Sequence, residues 1–189
     1  MTWKKLELWL EQVAFNGKIR KNGSPMFEHS VDVGRRLRIL NCDDITVFAG
    51  YCHDVIEDVI MTCDNEAEKV KLSYELYKNA LDIFGNQEDA DKAIETVNYC
   101  SYQPNEYLVE ENNFKKTGDK KNSKLLRKNM AIERWLNSND RVKNIKICDV
   151  QSNLVTAKLV SDEFYNDYTA WAIPLMEKLE YDLSTKLKL

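Results

Sequence analysis

Hydrophobic residues recur at intervals of three and four along most of the chain, a spacing that predicts amphipathic α-helices. Trp3, Leu6, Leu10 and Val13 form the first such stripe, in a helix that should end near Gly17. Further predicted helices begin near residues 25, 44, 67, 86, 124, 142 and 164, the last of them kinked or broken by its proline. Glycine and proline are scarce, with six and three copies, which also favours helices. We therefore expect an all-α fold, a single helical bundle of about eight to ten helices over residues 1–189.

The helical pattern fails between residues 101 and 123. This stretch contains one proline, one glycine and a change from acidic residues to a run of lysines. Such features predict a mobile loop. The lysine run at 115–121 is most simply a solvated surface, although a loop of that charge could also close over phosphates.

Composition limits the classes of protein to which the chain can belong. Its 189 residues are 43% hydrophobic, enough for one ordinary core, and its net charge of −4 gives no sign of a nucleic-acid or membrane surface. No apolar run approaches the roughly 20 residues of a membrane span, and the N-terminus lacks a signal-peptide core. The five cysteines contain no C-x-x-C pair, which argues against a disulfide framework or a cysteine zinc site. We expect a cytoplasmic protein that binds neither nucleic acid nor a membrane.

The chain has only two histidines, and both fall on predicted helices near aspartates. His53 directly precedes Asp54, and His29 shares the apolar face of its own helix. Asp149 lies on the inner side of an otherwise apolar helix, where a buried carboxylate needs a basic side chain or a metal ion beside it. Two imidazoles and two carboxylates suit manganese, iron(II) or zinc with open positions for water and phosphate. The alternative is that each histidine is a hydrogen-bonded core residue.

Glu57 and Asp58 extend this polar group along the same helix. Each lies four residues after a member of the pair His53 and Asp54, so the four side chains stack over little more than one turn. Taken alone, the two added carboxylates are more typical of a solvated helix face. Beside a metal ion, one of them could orient or deprotonate a water molecule.

The order of these residues resembles the H…HD…D signature of the HD superfamily of metal-dependent phosphohydrolases. Residues 17–29, GKIRKNGSPMFEH, are similar to the G-Q-x-R-K-x-G-x-P-Y-x-x-H segment of RelA/SpoT-type guanosine tetraphosphate (ppGpp) hydrolases. Residues 53–59, HDVIEDV, resemble their H-D-x-x-E-D-T motif, and residues 140–156 resemble their D-x-R-V…K-x-x-D-x-x-x-N-x-x-T helix. Residues 171–175, WAIPL, are similar to their Y-A-P-L stretch. The resemblance covers about residues 3–180.

The resemblance implies an HD domain that removes the 3′-pyrophosphate of guanosine tetra- or pentaphosphate and leaves GDP or GTP. It implies one divalent metal, in that family usually manganese, with four ligands: His29, His53, Asp54 and Asp149. It implies that two catalytic residues handle the attacking water: Glu57 and Asp58. Four residues would contact the nucleotide: Arg20, Lys21, Asn153 and Thr156. The chain ends where the bifunctional enzymes begin their synthetase domain, so we expect a stand-alone alarmone hydrolase of the stringent response that does not synthesise ppGpp.

Several positions differ from the family pattern and keep other functions open. Lys18 replaces the usual glutamine, and the stretch after Cys100 lacks the family's V-T-K residues. The second hypothesis is therefore HD chemistry on a nucleoside monophosphate, a signalling dinucleotide or the 2′-phosphate of NADPH. A third is a nucleotide sensor without catalysis, which the presence of every ligand and both carboxylates disfavours. Arg141 and Lys146 also match the family, either as structural partners of nearby aspartates or as substrate contacts.

Overall fold

The computed structural model describes residues 2–186, with side chains as far as Leu183. Within that range it is all-α, with nine α-helices and no strand, so the fold class predicted from the sequence is confirmed. The helices are α1 (Trp3–Trp9), α2 (Met26–Ile39), α3 (Asp44–Cys52), α4 (Glu66–Phe84), α5 (Gln87–Cys100), α6 (Pro104–Thr117), α7 (Lys120–Leu136), α8 (Asp140–Ala157) and α9 (Asp162–Lys186). Two π-helical turns, Leu10–Ala14 and Ile56–Ile60, follow α1 and α3. A single domain over residues 1–189 stays a prediction, because Met1 and residues 187–189 lie outside the described residues.

Helix α3 lies at the centre of the bundle, and every side chain from Ile45 to Cys52 is buried. The helix begins where the Asp43 carboxylate accepts a hydrogen bond from the Thr46 amide at 2.7 Å, an N-cap of the kind the sequence predicts. Helices α2, α5 and α8 pack around it, and α9 lies along α8. The predicted metal ligands come from α2, from the turn after α3 and from α8, so the core packing brings them to one place.

Near the end of the first helix, the buried side chains differ from the predicted hydrophobic stripe. Leu6 and Leu10 are buried as expected, but Val13 is 42% exposed, and Ala14 and Phe15 are buried in its place. The turn that contains Val13 is π-helical and holds more residues than the 3.6 of an α-helical turn. The side chains that follow are therefore rotated away from the stripe, and the prediction for Val13 is wrong.

The segment 101–123, predicted as a mobile loop, consists mainly of α6 and the beginning of α7, so its prediction as a loop is wrong. Pro104 is the first residue of α6, where its missing N–H costs nothing, and the Gln103 amide donates to the Glu106 carboxylate at 2.8 Å. Gly118, with φ of 68°, ends α6, and the Asp119 side chain caps α7. The proline and the glycine that indicated a loop are the start and stop signals of two helices.

Buried ion pairing fixes the α6–α7 hairpin to the rest of the bundle. Glu106 is only 2% exposed, and its two carboxylate oxygens accept from the Arg134 guanidinium at 2.9 and 3.2 Å. The same guanidinium donates to the Ser101 carbonyl at 3.0 Å. Since a buried carboxylate is stable only when it is paired, this contact orders the segment that follows α5.

Helix α9 continues through Pro174 rather than breaking there. Ala172, Leu175 and Leu179, on both sides of the proline, are buried. Helix α9 packs against α7 and α8, and this tertiary contact offsets the backbone hydrogen bond that a proline removes.

The structure bears on two expectations from composition, a membrane span and the state of the cysteines. No helix in the described part of the chain is long and apolar enough to cross a membrane. The five cysteines are free thiols, in line with the absence of a C-x-x-C pair.

Candidate metal centre

Two imidazoles and two carboxylates meet in the core between α2, α3 and α8. His29 lies on α2, His53 and Asp54 form the turn between α3 and the π-helical segment, and Asp149 lies on α8. The histidines are 5% and 1% exposed, so neither is a surface residue. The two rings meet edge to face, with centroids 5.1 Å apart.

The Nε2 atom of each histidine faces both carboxylates. From His29 Nε2, Asp149 Oδ1 lies at 3.2 Å and Asp54 Oδ2 at 3.6 Å. From His53 Nε2, Asp54 Oδ1 lies at 3.1 Å and Asp149 Oδ1 at 3.6 Å. Ligand atoms about 2.0 to 2.2 Å from one ion, with bonds at ordinary angles, lie roughly 2.8 to 3.6 Å from each other. The separations therefore suit a cation held by His29, His53 and Asp149, with the Asp54 carboxylate beside both rings.

Hydrogen bonds on the far side of each ring leave Nε2 available for a metal. His53 Nδ1 donates to the Gly50 carbonyl at 2.8 Å, which leaves the lone pair on Nε2. His53 Nε2 is buried and makes no hydrogen bond within the described residues, although a carboxylate oxygen lies close to it. An orphaned buried nitrogen of this kind is satisfied by a cation. His29, His53 and Asp149 could thus hold a metal ion, and an Asp54 oxygen lies 3.1 Å from His53 Nε2.

The charges of the cluster favour a cation over an empty cavity. Burial alone would lower the pKa of His53, but the Asp54 and Asp149 carboxylates outweigh it and raise that pKa to about 10. Burial alone would raise the pKa of Asp149, but Lys146 and His53 hold it well below its usual value. Both carboxylates are therefore ionised, and without a metal a proton takes the cation's place on an imidazole.

Glu57 and Asp58 point into the same cavity from the π-helical turn Ile56–Ile60. Burial raises the pKa of Glu57, and the negative charge of Asp54 raises it further. The same two causes, with the charge of Glu57, raise the pKa of Asp58 to about 7. A carboxylate with its pKa near neutrality can both accept and return a proton. Both side chains have intermediate exposure and line the cavity.

The cavity that contains these carboxylates has a volume of about 260 Å³ and is mostly polar. Arg20 and Asn153, two of the predicted substrate residues, line it, and the Arg20 guanidinium donates to the Asn153 side-chain oxygen. The Asn153 amide nitrogen donates to Asp149 Oδ1 at 2.7 Å. This chain of contacts connects the loop 18–25 to a metal ligand.

A second cavity of about 270 Å³ adjoins the first and shares Arg20 and Asn153 with it. Lys21 and Thr156, the other predicted substrate residues, line this second cavity but not the first. Lys21 lies over the Phe164 ring, with Nζ 4.9 Å from its centroid. Arg20 and Asn153 thus line both cavities, whereas Lys21 and Thr156 line only the second, largely apolar one.

Two lysines add contacts at the site: Lys18, which the sequence marked only as a departure from the family pattern, and Lys146, for which it left open a structural or a substrate-binding role. Lys18 Nζ donates to the Asp58 carbonyl at 2.6 Å and so connects the loop 18–25 to the turn that carries Glu57 and Asp58. Lys146 is 6% exposed, and its Nζ donates to Asp149 Oδ2 at 3.3 Å and lies 4.4 Å from the Trp135 ring centroid. Lys146 is therefore a partner of Asp149 and also lines the cavity. Its position three residues before Asp149 was the signal available in the sequence.

Aromatic side chains form much of the remaining wall. They shield the charged groups from bulk water, which strengthens the electrostatic interactions between them. They are Tyr102, Trp135, Tyr168 and Trp171.

No protein-family model matches this chain. The site itself combines a cluster that could hold a metal ion, two carboxylates with raised pKa values, and cationic side chains in one cavity.

Proposed function

We propose that this protein is a manganese-dependent phosphohydrolase of the HD type that removes the 3′-pyrophosphate of guanosine tetra- and pentaphosphate. The observation that carries the proposal is that one cavity contains His29, Asp54 and Asp149 together with Glu57 and Asp58. The family resemblance supports the choice of substrate. The substrate is a small nucleotide, no nucleic acid or membrane takes part, and the reaction takes place in the cytoplasm.

Manganese is the proposed cofactor because two imidazoles and two carboxylates form a borderline-to-hard ligand set that leaves positions open for oxygen ligands. Such a cation, when bound, supplies charge neutralisation for phosphate and acidifies a water molecule. The ligands would be His29, His53, Asp54 and Asp149. The burial of the two histidines and the hydrogen bonds of His53 and Asp149 keep these donor atoms in place before any cation binds.

Glu57 and Asp58 would take the proton from the attacking water. Water oxygen bonds to the phosphorus attached to the ribose 3′ oxygen, and the bond between that phosphorus and the 3′ oxygen breaks. The proton removed by the carboxylate returns to the departing 3′ oxygen, so that ppGpp and water give GDP and pyrophosphate. A carboxyl group with its pKa at about 7 suits both transfers.

The remaining side chains would bind the two ends of the nucleotide. Arg20 and Lys146 supply positive charge in the polar cavity, where the phosphates would lie. The adjoining cavity is largely apolar and is lined by Phe164, Tyr168 and Met26, which suits a base and a ribose. Asn153 and Arg20 lie between the two cavities, where the ribose and the 3′ phosphate would meet.

A substrate panel tests this function. Manganese-loaded protein is incubated separately with ppGpp, a nucleoside monophosphate, a cyclic dinucleotide and NADPH, and the products are separated by ion-exchange chromatography. We expect pyrophosphate and GDP from ppGpp, and a large loss of rate in Asp58→Asn and Glu57→Gln. Asp64→Asn, which removes an exposed carboxylate from the next loop, is the matched control and should keep the wild-type rate.

Two outcomes would contradict the proposal. Turnover of another panel member while ppGpp stays intact would keep the metal chemistry and overturn the substrate. Tight ppGpp binding without turnover of any panel member would indicate the sensor instead of the hydrolase.

A further inference from the structure

The His29 ring uses its two nitrogens for different partners. Nε2 faces the carboxylates of the metal centre, with Asp149 Oδ1 at 3.2 Å. Nδ1 lies 3.0 Å from the Ser152 hydroxyl oxygen on α8. Ser152 is 3% exposed, so water does not compete for this contact. None of the sequence motifs gives Ser152 a role.

Ser152 is itself hydrogen-bonded to Asp32, which follows His29 on α2 by three residues. Burial would raise the pKa of Asp32, but the hydrogen bonds from Ser152 and Arg36 outweigh it and lower that pKa. Arg36 Nε donates to Asp32 Oδ2 at 2.8 Å. Asp32 is therefore an ionised carboxylate that can only accept hydrogen bonds.

Arg36, Asp32, Ser152 and His29 form a row of hydrogen-bonded side chains. Their chemistry fixes the direction of each hydrogen bond in this row. A serine hydroxyl has one hydrogen, and Ser152 gives it to Asp32 because a carboxylate cannot donate. The Ser152 oxygen is then left to accept, so His29 carries its hydrogen on Nδ1 and its lone pair on Nε2. Nε2 is the atom that faces the metal centre.

We propose that Ser152 and Asp32 are positioning residues for the metal, holding His29 in the tautomer and orientation that bind the cation through Nε2. The inference rests on the metal centre of the proposed function but not on its substrate. A carboxylate behind a ligand histidine makes the imidazole a better donor, and here a serine hydroxyl connects the two groups. His53, in contrast, is oriented by the Gly50 carbonyl, which no side-chain substitution removes.

Asp32 offers a test site outside the metal cavity. It lies in a groove between α1 and α2 lined by Lys4, Glu7, Phe27 and Arg35, and its side chain is 43% exposed. It does not line either of the two cavities around Arg20. A substitution at Asp32 therefore changes the hydrogen-bonded row without touching a bound nucleotide and with little risk to the core.

The experiment measures the dissociation constant for Mn²⁺ by isothermal titration calorimetry in wild type, Ser152→Ala, Asp32→Ala and the double variant. Circular dichroism confirms that each variant folds. We expect Ser152→Ala to weaken binding by about 10- to 100-fold, and the two substitutions together to cost little more than either alone. The visible absorption bands of bound Co²⁺ should shift in Ser152→Ala, because the His29 ring is no longer held. Ser152→Thr keeps the hydroxyl and should restore both readouts.

Glu28→Gln is the matched control. Glu28 lies next to His29 on α2 and lines the same groove, and the substitution removes the same charge without removing a hydrogen bond to Ser152. We expect its Mn²⁺ affinity to stay within about twofold of wild type.

Three results would overturn the inference. The first is an unchanged affinity in Asp32→Ala, which also decides the matter if Ser152→Ala does not fold. The second is a loss in Glu28→Gln equal to that in Asp32→Ala, which would indicate a general charge effect. The third is strict additivity in the double variant. Wild-type protein that binds no Mn²⁺ would overturn the proposed function as well, whereas the expected affinities in a protein inactive on ppGpp would overturn only the substrate.

Discussion

The crossing of α2 and α3 depends on a glycine, and replacing it should both destabilise the fold and move the metal ligands. A Cβ added to Gly34 would lie 2.3 Å from Tyr51 Cδ2 and 2.4 Å from Tyr51 Cγ. Tyr51 has no room to turn, because its ring stacks on Trp3 at 5.7 Å and its hydroxyl donates to Glu7 at 2.9 Å. Gly34→Ala must therefore push the two helices apart.

The size of the effect follows from these distances. Carbon atoms in ordinary contact lie about 3.5 to 4.0 Å apart, so α2 and the ring must separate by roughly 1.2 to 1.7 Å. Overpacking on this scale costs about 3 kcal/mol, and the better helix propensity of alanine returns about 1 kcal/mol. The net loss of about 2 kcal/mol corresponds to a Tm lower by roughly 4 to 8 °C in a chain of this size.

Thermal unfolding followed by circular dichroism measures this change. Ser30→Ala is the control on the same helix: it removes a buried hydroxyl that has no hydrogen-bond partner among the described residues and should leave Tm equal or higher. Because His29 lies on α2 and His53 follows α3, Gly34→Ala should also weaken Mn²⁺ binding. A Tm equal to or above that of wild type would refute the argument.

Four further predictions concern the proposed catalytic carboxylates and the α6–α7 hairpin. Asp58→Asn should lower kcat by about 100- to 10,000-fold in a pyrophosphate-release assay, whereas a loss below about tenfold would remove its role as the base. The wild-type rate should fall as pH drops below about 7, because Asp58 then takes up a proton, and a flat profile from pH 5 to 8 would contradict this. The raised pKa also means that ionisation of Asp58 destabilises the fold as pH rises from 3.8 to about 7, so Asp58→Asn should raise Tm at about pH 8 but not below about pH 4. Arg134→Met should cost about 3 to 5 kcal/mol in urea unfolding by leaving Glu106 unpaired, and the added substitution Glu106→Leu should recover much of that loss.

The periodic pattern predicted most helices because the core-facing side chains recur every turn. The helix predicted to begin near residue 86 is α5, which Asn86 caps and which buries Ala90, Ala93 and Val97. It failed at Val13 because a π-helical turn changes the number of residues per turn, and nothing in the local sequence announces that change. Val155 near the end of α8 is 66% exposed although it continues the apolar spacing, because spacing alone does not reveal which neighbour covers a helix end.

The loop prediction for 101–123 failed for a different reason. A proline or a glycine can mark the end of a helix as well as a loop, so Pro104 and Gly118 were compatible with both structures. The contact that decides between them joins Glu106 to Arg134, which are 28 residues apart. No local pattern contains a pairing over that distance.

The sequence indicated which residues gather at the candidate site but not all of their contacts. Motif spacing pointed to His29, His53, Asp54 and Asp149, and the structure brings them together from three parts of the chain. The contacts of Ser152 and Lys18 were not predicted, because nothing in the sequence distinguishes a serine or lysine at the site from one on the surface. Their partners, His29 and Asp58, are distant in the sequence.

The most direct test of the central claim is the fate of labelled oxygen. Manganese-loaded protein hydrolyses ppGpp in water enriched in oxygen-18, and mass spectrometry locates the label, with Asp54→Asn as the control without turnover. Attack at the phosphorus next to the 3′ oxygen predicts one labelled oxygen in pyrophosphate and none in GDP. Label in GDP, or release of orthophosphate in place of pyrophosphate, would contradict the account.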